Sequence, residues 1–153
     1  GAAAVERREL LRTARGRGAA VGFCAGGGGV MGDCVSSDVV CRKRAVEAEL
    51  IGISGDERLA PGHKLPAAIE DAIGATQWVA NNALQFGIDA ARLCVGGDSA
   101  GGNLAAVVAL AARDGNGPAL SGQLLIYPAT DFAMTHPSHR VRETRMLPPT
   151  TEP

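Results

Sequence analysis

The chain has almost no net charge, no long apolar run, no paired cysteine spacing and few histidines, and each scarcity closes off a class of function. Fifteen lysines and arginines stand against 16 aspartates and glutamates, a formal charge of -1. So balanced a charge leaves no electrostatic footprint for nucleic acid or an anionic membrane, and neither is expected as a partner. No apolar run reaches the ~18 residues of a membrane span, and the opening "GAAAVERRELLRTAR" is too charged for a secretory leader. The expected location is therefore the cytoplasm. Cys24, Cys34, Cys41 and Cys94 show no C-x-x-C and no histidine partner at metal-ligand spacing. No metal and no cofactor are expected, and the thiols are read as small buried hydrophobes. Histidine occurs three times, at His63, His136 and His139, so the candidates for a general base are few.

What the chain does have is 153 residues that are 46% hydrophobic with 21 glycines, the composition of a globular domain or of part of a larger one. Four short apolar runs bounded by glycine, proline or polar residues read as buried strands: Ala19–Cys24, Leu50–Ser54, Arg92–Gly96 and Gln123–Tyr127. Between them lie three helical stretches, about Ser37–Glu49, Pro66–Phe86 and Ala100–Arg113. In the second, Ile69, Ala72, Ile73, Thr76, Val79, Ala80 and Ala83 recur at helical spacing, while Glu70, Asp71, Gln77 and Asn81 fall mostly on the other side. The order β-α-β-α-β-α-β predicts an α/β fold, a parallel sheet with right-handed crossovers and helices on both faces, in three αβα layers.

The ends fit this pattern less well. Residues 1–18 read as an irregular N-terminal segment, in which "VERRELLRTAR" suits a frayed helix or a poor edge strand. Residues 19–132 form the expected domain. Residues 133–153, with Pro137, Pro148, Pro149 and Pro153 and no hydrophobic period, read as an irregular or disordered tail.

The chemistry concentrates in "LCVGGDSAGGNLAAVVAL", where Gly97-Asp98-Ser99-Ala100-Gly101 matches G-x-S-x-G directly after a predicted strand and directly before a predicted helix. That placement gives the motif a mechanical meaning, because a nucleophile on so sharp a turn tolerates only small neighbours. Gly97 and Gly101 satisfy the requirement. Ser99 would stand at the carboxyl end of its strand, with helix N-terminal N–H groups aimed at any oxyanion formed there. A glycine- and serine-rich turn that merely joins strand to helix is the plain alternative.

A second glycine cluster, "CAGGGGVMGD", follows the first predicted strand. Acyl transfer through a tetrahedral intermediate needs N–H donors on the developing oxyanion, and Gly27 and Gly28 can supply two, with Ala100 a third. A rival reading also fits: Gly27, Gly29 and Gly32 satisfy G-x-G-x-x-G, and Asp56 would then hold a ribose as in a dinucleotide-binding domain. The rival is weaker, because "DCVSS" is expected to separate the last glycine from the helix and because it leaves the serine turn unexplained.

Four blocks in order, "GGGGVMGD", "RLAPGHKLPAAIEDA", "GIDAARLCVGGDSAGGNLAAVVAL" and "QLLIYPATDF", resemble the hormone-sensitive-lipase-like group of α/β-hydrolase carboxylesterases. The resemblance runs from about Val21 to Arg140. It implies a partial α/β-hydrolase core acting on a small-molecule ester, with Ser99 as nucleophile and Gly27, Gly28 and Ala100 as oxyanion hole. It further implies that Asp56 and Arg58 brace the loop beneath the site. The chain departs from the group's pattern at Ala25, where the group has histidine, and at Gly29, where it has an aromatic residue. Glu57 stands in place of tyrosine and Gly62 in place of glutamate. Each change removes packing or a hydrogen bond from the glycine loop or its support, and Arg44 adds a charge to a helix that must pack.

In the resembling group the acid and histidine of the triad lie far downstream of the serine, and among the residues after Ser99 neither is identifiable in family context. The core is accordingly expected to be truncated and its activity impaired. Asp131 and His139 respect the Ser…Asp…His order and are the available substitutes. Two other classes stay open: a catalytically inactive remnant that binds without turnover, and the dinucleotide-binding domain. The unpaired edge of a partial sheet also invites self-association.

Overall fold

The computed structural model describes residues 8–11, 18–131, 133 and 135–137. Its elements are β1 (Arg8–Leu11), β2 (Gly18–Cys24), α1 (Cys34–Glu47), β3 (Ile51–Gly55), α2 (Ala67–Asn81), β4 (Ile88–Asp98), α3 (Ala100–Arg113) and β5 (Gly122–Ile126). The strands form one sheet in the order β1-β3-β2-β4-β5. The four strands from β2 to β5 are parallel, as the βαβ alternation requires.

Within the segment 1–18, β1 takes the edge-strand alternative read for "VERRELLRTAR" and not the frayed helix. Arg8–Leu11 pairs antiparallel with β3, from Arg8 opposite Gly55 to Leu11 opposite Gly52. Four residues with two charges carry too little apolar pattern to announce a strand, and it is the exposed edge of β3 that selects the conformation. The rest of 1–18, and most of the tail from 133, lies outside the described residues.

Alternation along the strands assigns the two faces. Ala20 on β2, Ile51 and Ile53 on β3 and Leu93 on β4 pack with Val79, Ala83 and Ile88. Val95 packs with Ala72 of α2 and with Leu104, Ala105 and Val108 of α3 on the same side. Phe23 turns to the opposite face and meets Cys41 and Ala45 of α1. The result is the three-layer αβα arrangement. Arg44 is accommodated by placing its guanidinium carbon 4.7 Å from the centre of the Phe23 ring, where the cation meets the negative face of the aromatic.

Two helices differ from their predicted bounds. α1 begins at Cys34, two residues past Gly32, so "DCVSS" lies mostly inside the helix rather than before it. α2 stops at Asn81 instead of Phe86. There the Asn82 side chain donates to the Trp78 carbonyl at 2.8 Å and competes with the helical ladder. Short turns then carry the chain to Gly87, which takes a positive φ of 68° before β4. β4 itself starts at Ile88, four residues before the apolar run that predicted it. Among the described residues no helix is long and apolar enough to cross a membrane.

Candidate active site

β2 and β4 are neighbouring parallel strands with Cys24 opposite Gly97. The glycine loop after β2 and the serine turn after β4 therefore leave the same edge of the sheet side by side. Contact between them is close: a methyl group at Gly101 would overlap the carbonyl oxygens of Cys24 and Ala25, and one at Gly97 would overlap the Gly101 carbonyl. Both glycines of G-x-S-x-G are thus required by backbone approach.

Ser99 sits between β4 and α3 with φ 53° and ψ -118°, a conformation that L-residues rarely adopt. The strain is held from both sides. Ser99 N–H donates to the Ile126 carbonyl at 2.9 Å, and Ala129 N–H donates to the Ser99 carbonyl at 3.0 Å. The Ser99 hydroxyl is half-buried and forms no hydrogen bond among the described residues. α3 begins at Ala100, so its first N–H groups have no acceptor within the helix and lie beside the serine.

The glycine loop closes on itself. Val30 and Met31 N–H both donate to the Gly27 carbonyl, at 3.2 and 3.1 Å, and Gly27, Gly28, Gly29 and Gly32 all have positive φ. A side chain at Gly27 would overlap the Met31 carbonyl, and one at Gly32 the Gly26 carbonyl. Among the described residues the Gly27 and Gly28 N–H groups donate to no backbone carbonyl. With α1 starting at Cys34, the late helix start no longer counts against the G-x-G-x-x-G reading. What speaks against it is that Gly27 and Gly32 are needed where the loop meets its own backbone, which leaves neither to admit a pyrophosphate.

The loop rests on the segment after β3. Ala60 N–H donates to the Gly29 carbonyl at 2.9 Å. That segment is anchored by Arg58, whose backbone N–H, Nε and Nη2 all donate to the Asp71 carboxylate at 2.8–2.9 Å, while Nη2 also reaches Glu70 and the Ala67 carbonyl at 3.3 Å. Arg58, read from the resemblance as a support of the loop together with Asp56, is held by Asp71. Asp71 had been placed on the polar side of its helix; it is 1% exposed. Burial pushes its carboxyl up, and the Arg58 hydrogen bonds more than offset this and hold it below its ordinary value. Helical periodicity shows which side a residue takes, not whether a loop later covers that side.

Between α2 and the sheet lies a cavity of about 50 Å³ lined by Cys24, Ile53, Ser54, Glu57, Asp71 and Val79 among others. Burial there pushes the Cys24 thiol up to about 12, with the Glu57 charge adding to it. The folded chain should therefore leave Cys24 unmodified by iodoacetamide near neutral pH, while denaturation exposes it; mass mapping of the alkylated peptide reads the result. Burial likewise raises the Glu57 carboxyl, aided by the charges of Asp56 and Asp71 and opposed by a backbone hydrogen bond. A carboxylate with a raised folded pKa contributes stability below its ordinary range and loses it as pH rises through the folded value. Glu57→Gln is accordingly expected to raise the melting temperature at about pH 7 and to give no gain at about pH 4.

Of the substitutes read for the acid and base, only Asp131 falls within the described residues. Asp131 is exposed and accepts a hydrogen bond from Ala133 N–H at 2.9 Å, closing a local turn. His139 lies outside the described residues, and His63 and His136 are exposed. Among the described residues no cluster of histidine, cysteine and carboxylate side chains is arranged to hold a metal ion.

Residues 22–151 match the protein family described as the alpha/beta hydrolase fold. The chain belongs to that family. Known alpha/beta hydrolases similar to it include the esterase LipI of Mycobacterium tuberculosis, 54% identical over 113 residues that cover 74% of this chain and 35% of LipI. Among solved structures, the esterase LipW from Mycobacterium marinum superposes with a TM-score of 0.79 at 40% identity, covering 81% of this chain and 40% of LipW. A thermostable esterase from Pseudomonas putida ECU1011 gives 0.83 at 37% identity, covering 88% and 43%. The chain spans about a third of the length of the curated relatives it matches. The family match spans both the glycine loop and the serine turn.

Proposed function

We propose that the chain carries the nucleophile and oxyanion-binding part of a carboxylic-ester hydrolase acting on a small-molecule ester. The observation that carries the reading is Ser99, held at φ 53° on a turn whose flanking glycines touch the neighbouring glycine loop. Its hydroxyl oxygen attacks the ester carbonyl carbon, the alcohol leaves, and water releases the acid from the acyl-enzyme. Gly27, Gly28 and Ala100 N–H groups donate to the oxyanion of each tetrahedral intermediate. Asp56 and Arg58 support the loop from beneath.

The reading needs a histidine base for the Ser99 proton, and His139, the candidate by chain order, lies outside the described residues. Asp131, the candidate acid, accepts a hydrogen bond from Ala133 N–H in a local turn. The similarity to named esterases supports the reaction class, and a Ser99 hydroxyl with no hydrogen bond among the described residues also fits a second reading in which the chain binds acyl ligands without turnover. Incubation with a short p-nitrophenyl ester and a fluorophosphonate probe separates the two. Ser99-dependent turnover supports the hydrolase, and its absence leaves only the binding module.

β5 forms the edge of the sheet, with Leu124 46% exposed. Self-association along that edge is part of the proposal, and light scattering across protein concentrations tests it.

A further inference from the structure

The second residue of the serine turn has no role in the reaction described above, yet its side chain is placed with care. Asp98 is the last residue of β4, and its carboxylate crosses to the loop that follows β2. Gly26 N–H donates to Asp98 Oδ1 at 3.1 Å. The other carboxylate oxygen lies so close that a methyl group at Gly26 would overlap Oδ2. The contact spans 72 positions of sequence and joins the residue before the nucleophile to the residue before the two loop donors. The far side of the loop is held by Ala60 N–H on the Gly29 carbonyl. Gly27 and Gly28 therefore lie between two fixed points, one on each side.

We propose that Asp98 is a positioning residue that clamps Gly26 and so fixes the direction of the Gly27 and Gly28 N–H groups. The physical need lies in the loop's composition. The loop is glycine from Gly26 to Gly29 and has no side chain of its own with which to limit its conformations. A bond from a backbone N–H to a carboxylate is among the stronger single contacts available, and it costs the loop no bulk beside the reacting carbonyl. Preorganised donors act on the transition state only if they need not be reoriented when charge develops. In its catalytic consequence the inference rests on the esterase reading, but the clamp itself does not.

The test compares the wild-type chain with Asp98→Ala and Asp98→Asn, the latter keeping an acceptor oxygen without the charge. Hydrogen exchange of the Gly26 amide, followed by NMR on isotope-labelled protein, reads the clamp. Phosphonylation of Ser99 and the kcat and KM of a short p-nitrophenyl ester read the consequence. Expected are faster Gly26 exchange in Asp98→Ala, a roughly ten- to a hundredfold slower Ser99 reaction with little change in KM, and partial recovery of both in Asp98→Asn. Unchanged Gly26 exchange in folded Asp98→Ala overturns the clamp. Faster exchange with an unaltered Ser99 rate overturns its role in positioning the donors. If the wild type shows no Ser99 reaction at all, the esterase reading and this consequence fall, while Gly26 exchange still decides whether Asp98 holds the loop. Should Asp98→Ala not fold, the near-isosteric Asp98→Leu removes the acceptor and carries the same comparison.

Discussion

Ser99→Ala is expected to abolish labelling by a fluorophosphonate probe and to lower any ester hydrolysis by about 10³-fold or more, with the fold unharmed. The size follows from the chemistry, since without the hydroxyl no acyl-enzyme can form and only oxyanion binding and substrate placement remain. The substitution is a clean test for a structural reason. The Ser99 side chain forms no hydrogen bond among the described residues, and the contacts that hold its strained backbone run through its N–H and carbonyl, which alanine keeps. The melting temperature should therefore shift by no more than a surface substitution would, about 0.5 kcal/mol in stability. Labelling that persists in Ser99→Ala would assign the nucleophile to another residue.

The largest effect on stability is expected from Asp71→Ala. The carboxylate is buried and accepts three hydrogen bonds from Arg58, so its loss leaves the Arg58 N–H and Nε without their acceptor and Nη2 with only its 3.3 Å contacts to Ala67 and Glu70. Removing the acid from such a pair costs about 2–4 kcal/mol, because the cost of the orphaned donors adds to that of the lost bonds. In a domain of this size that corresponds to a fall of roughly 5–15 °C in melting temperature, readable by circular dichroism. The pH dependence gives a second signature. The folded Asp71 pKa lies below its ordinary value, so its contribution is present above the ordinary aspartate range and is lost as pH falls through the folded value. Wild type and Asp71→Ala should accordingly differ most near neutrality and converge in acid. A variant that matches wild type at about pH 7 would show that the pair does not brace the fold. Because Ala60 carries the same segment's hydrogen bond to Gly29, the glycine loop should loosen along with it.

Asp71 also marks the boundary of what can be read from the chain alone. Its helix was predicted, and so was Arg58 as a brace, yet the residue that makes the brace had been assigned to the polar side of that helix. The pairing depends on a loop 13 positions earlier folding back over α2, and no local periodicity encodes such a return. Asp98 was likewise legible only as the variable position of G-x-S-x-G until the register of Cys24 with Gly97 brought the glycine loop against it. β1 is a third case, since "VERRELLRTAR" suited a frayed helix as well as an edge strand, and the pairing with β3 is what distinguishes them.

α3 illustrates the opposite situation, its observed bounds Ala100–Arg113 coinciding with the expected ones. Its apolar pattern is local, and so is the glycine turn that starts it. What the sequence by itself determined is of that kind: the βαβ alternation, the parallel sheet, the serine turn and the glycine loop, each written in neighbouring residues through spacing, propensity and backbone permissiveness. Only the tertiary structure decided which distant groups meet: Arg58 with Asp71, Asp98 with Gly26, and β1 with β3. Local rules act over one or two turns of chain, whereas these contacts arise from strand register and loop return, which the whole core sets at once.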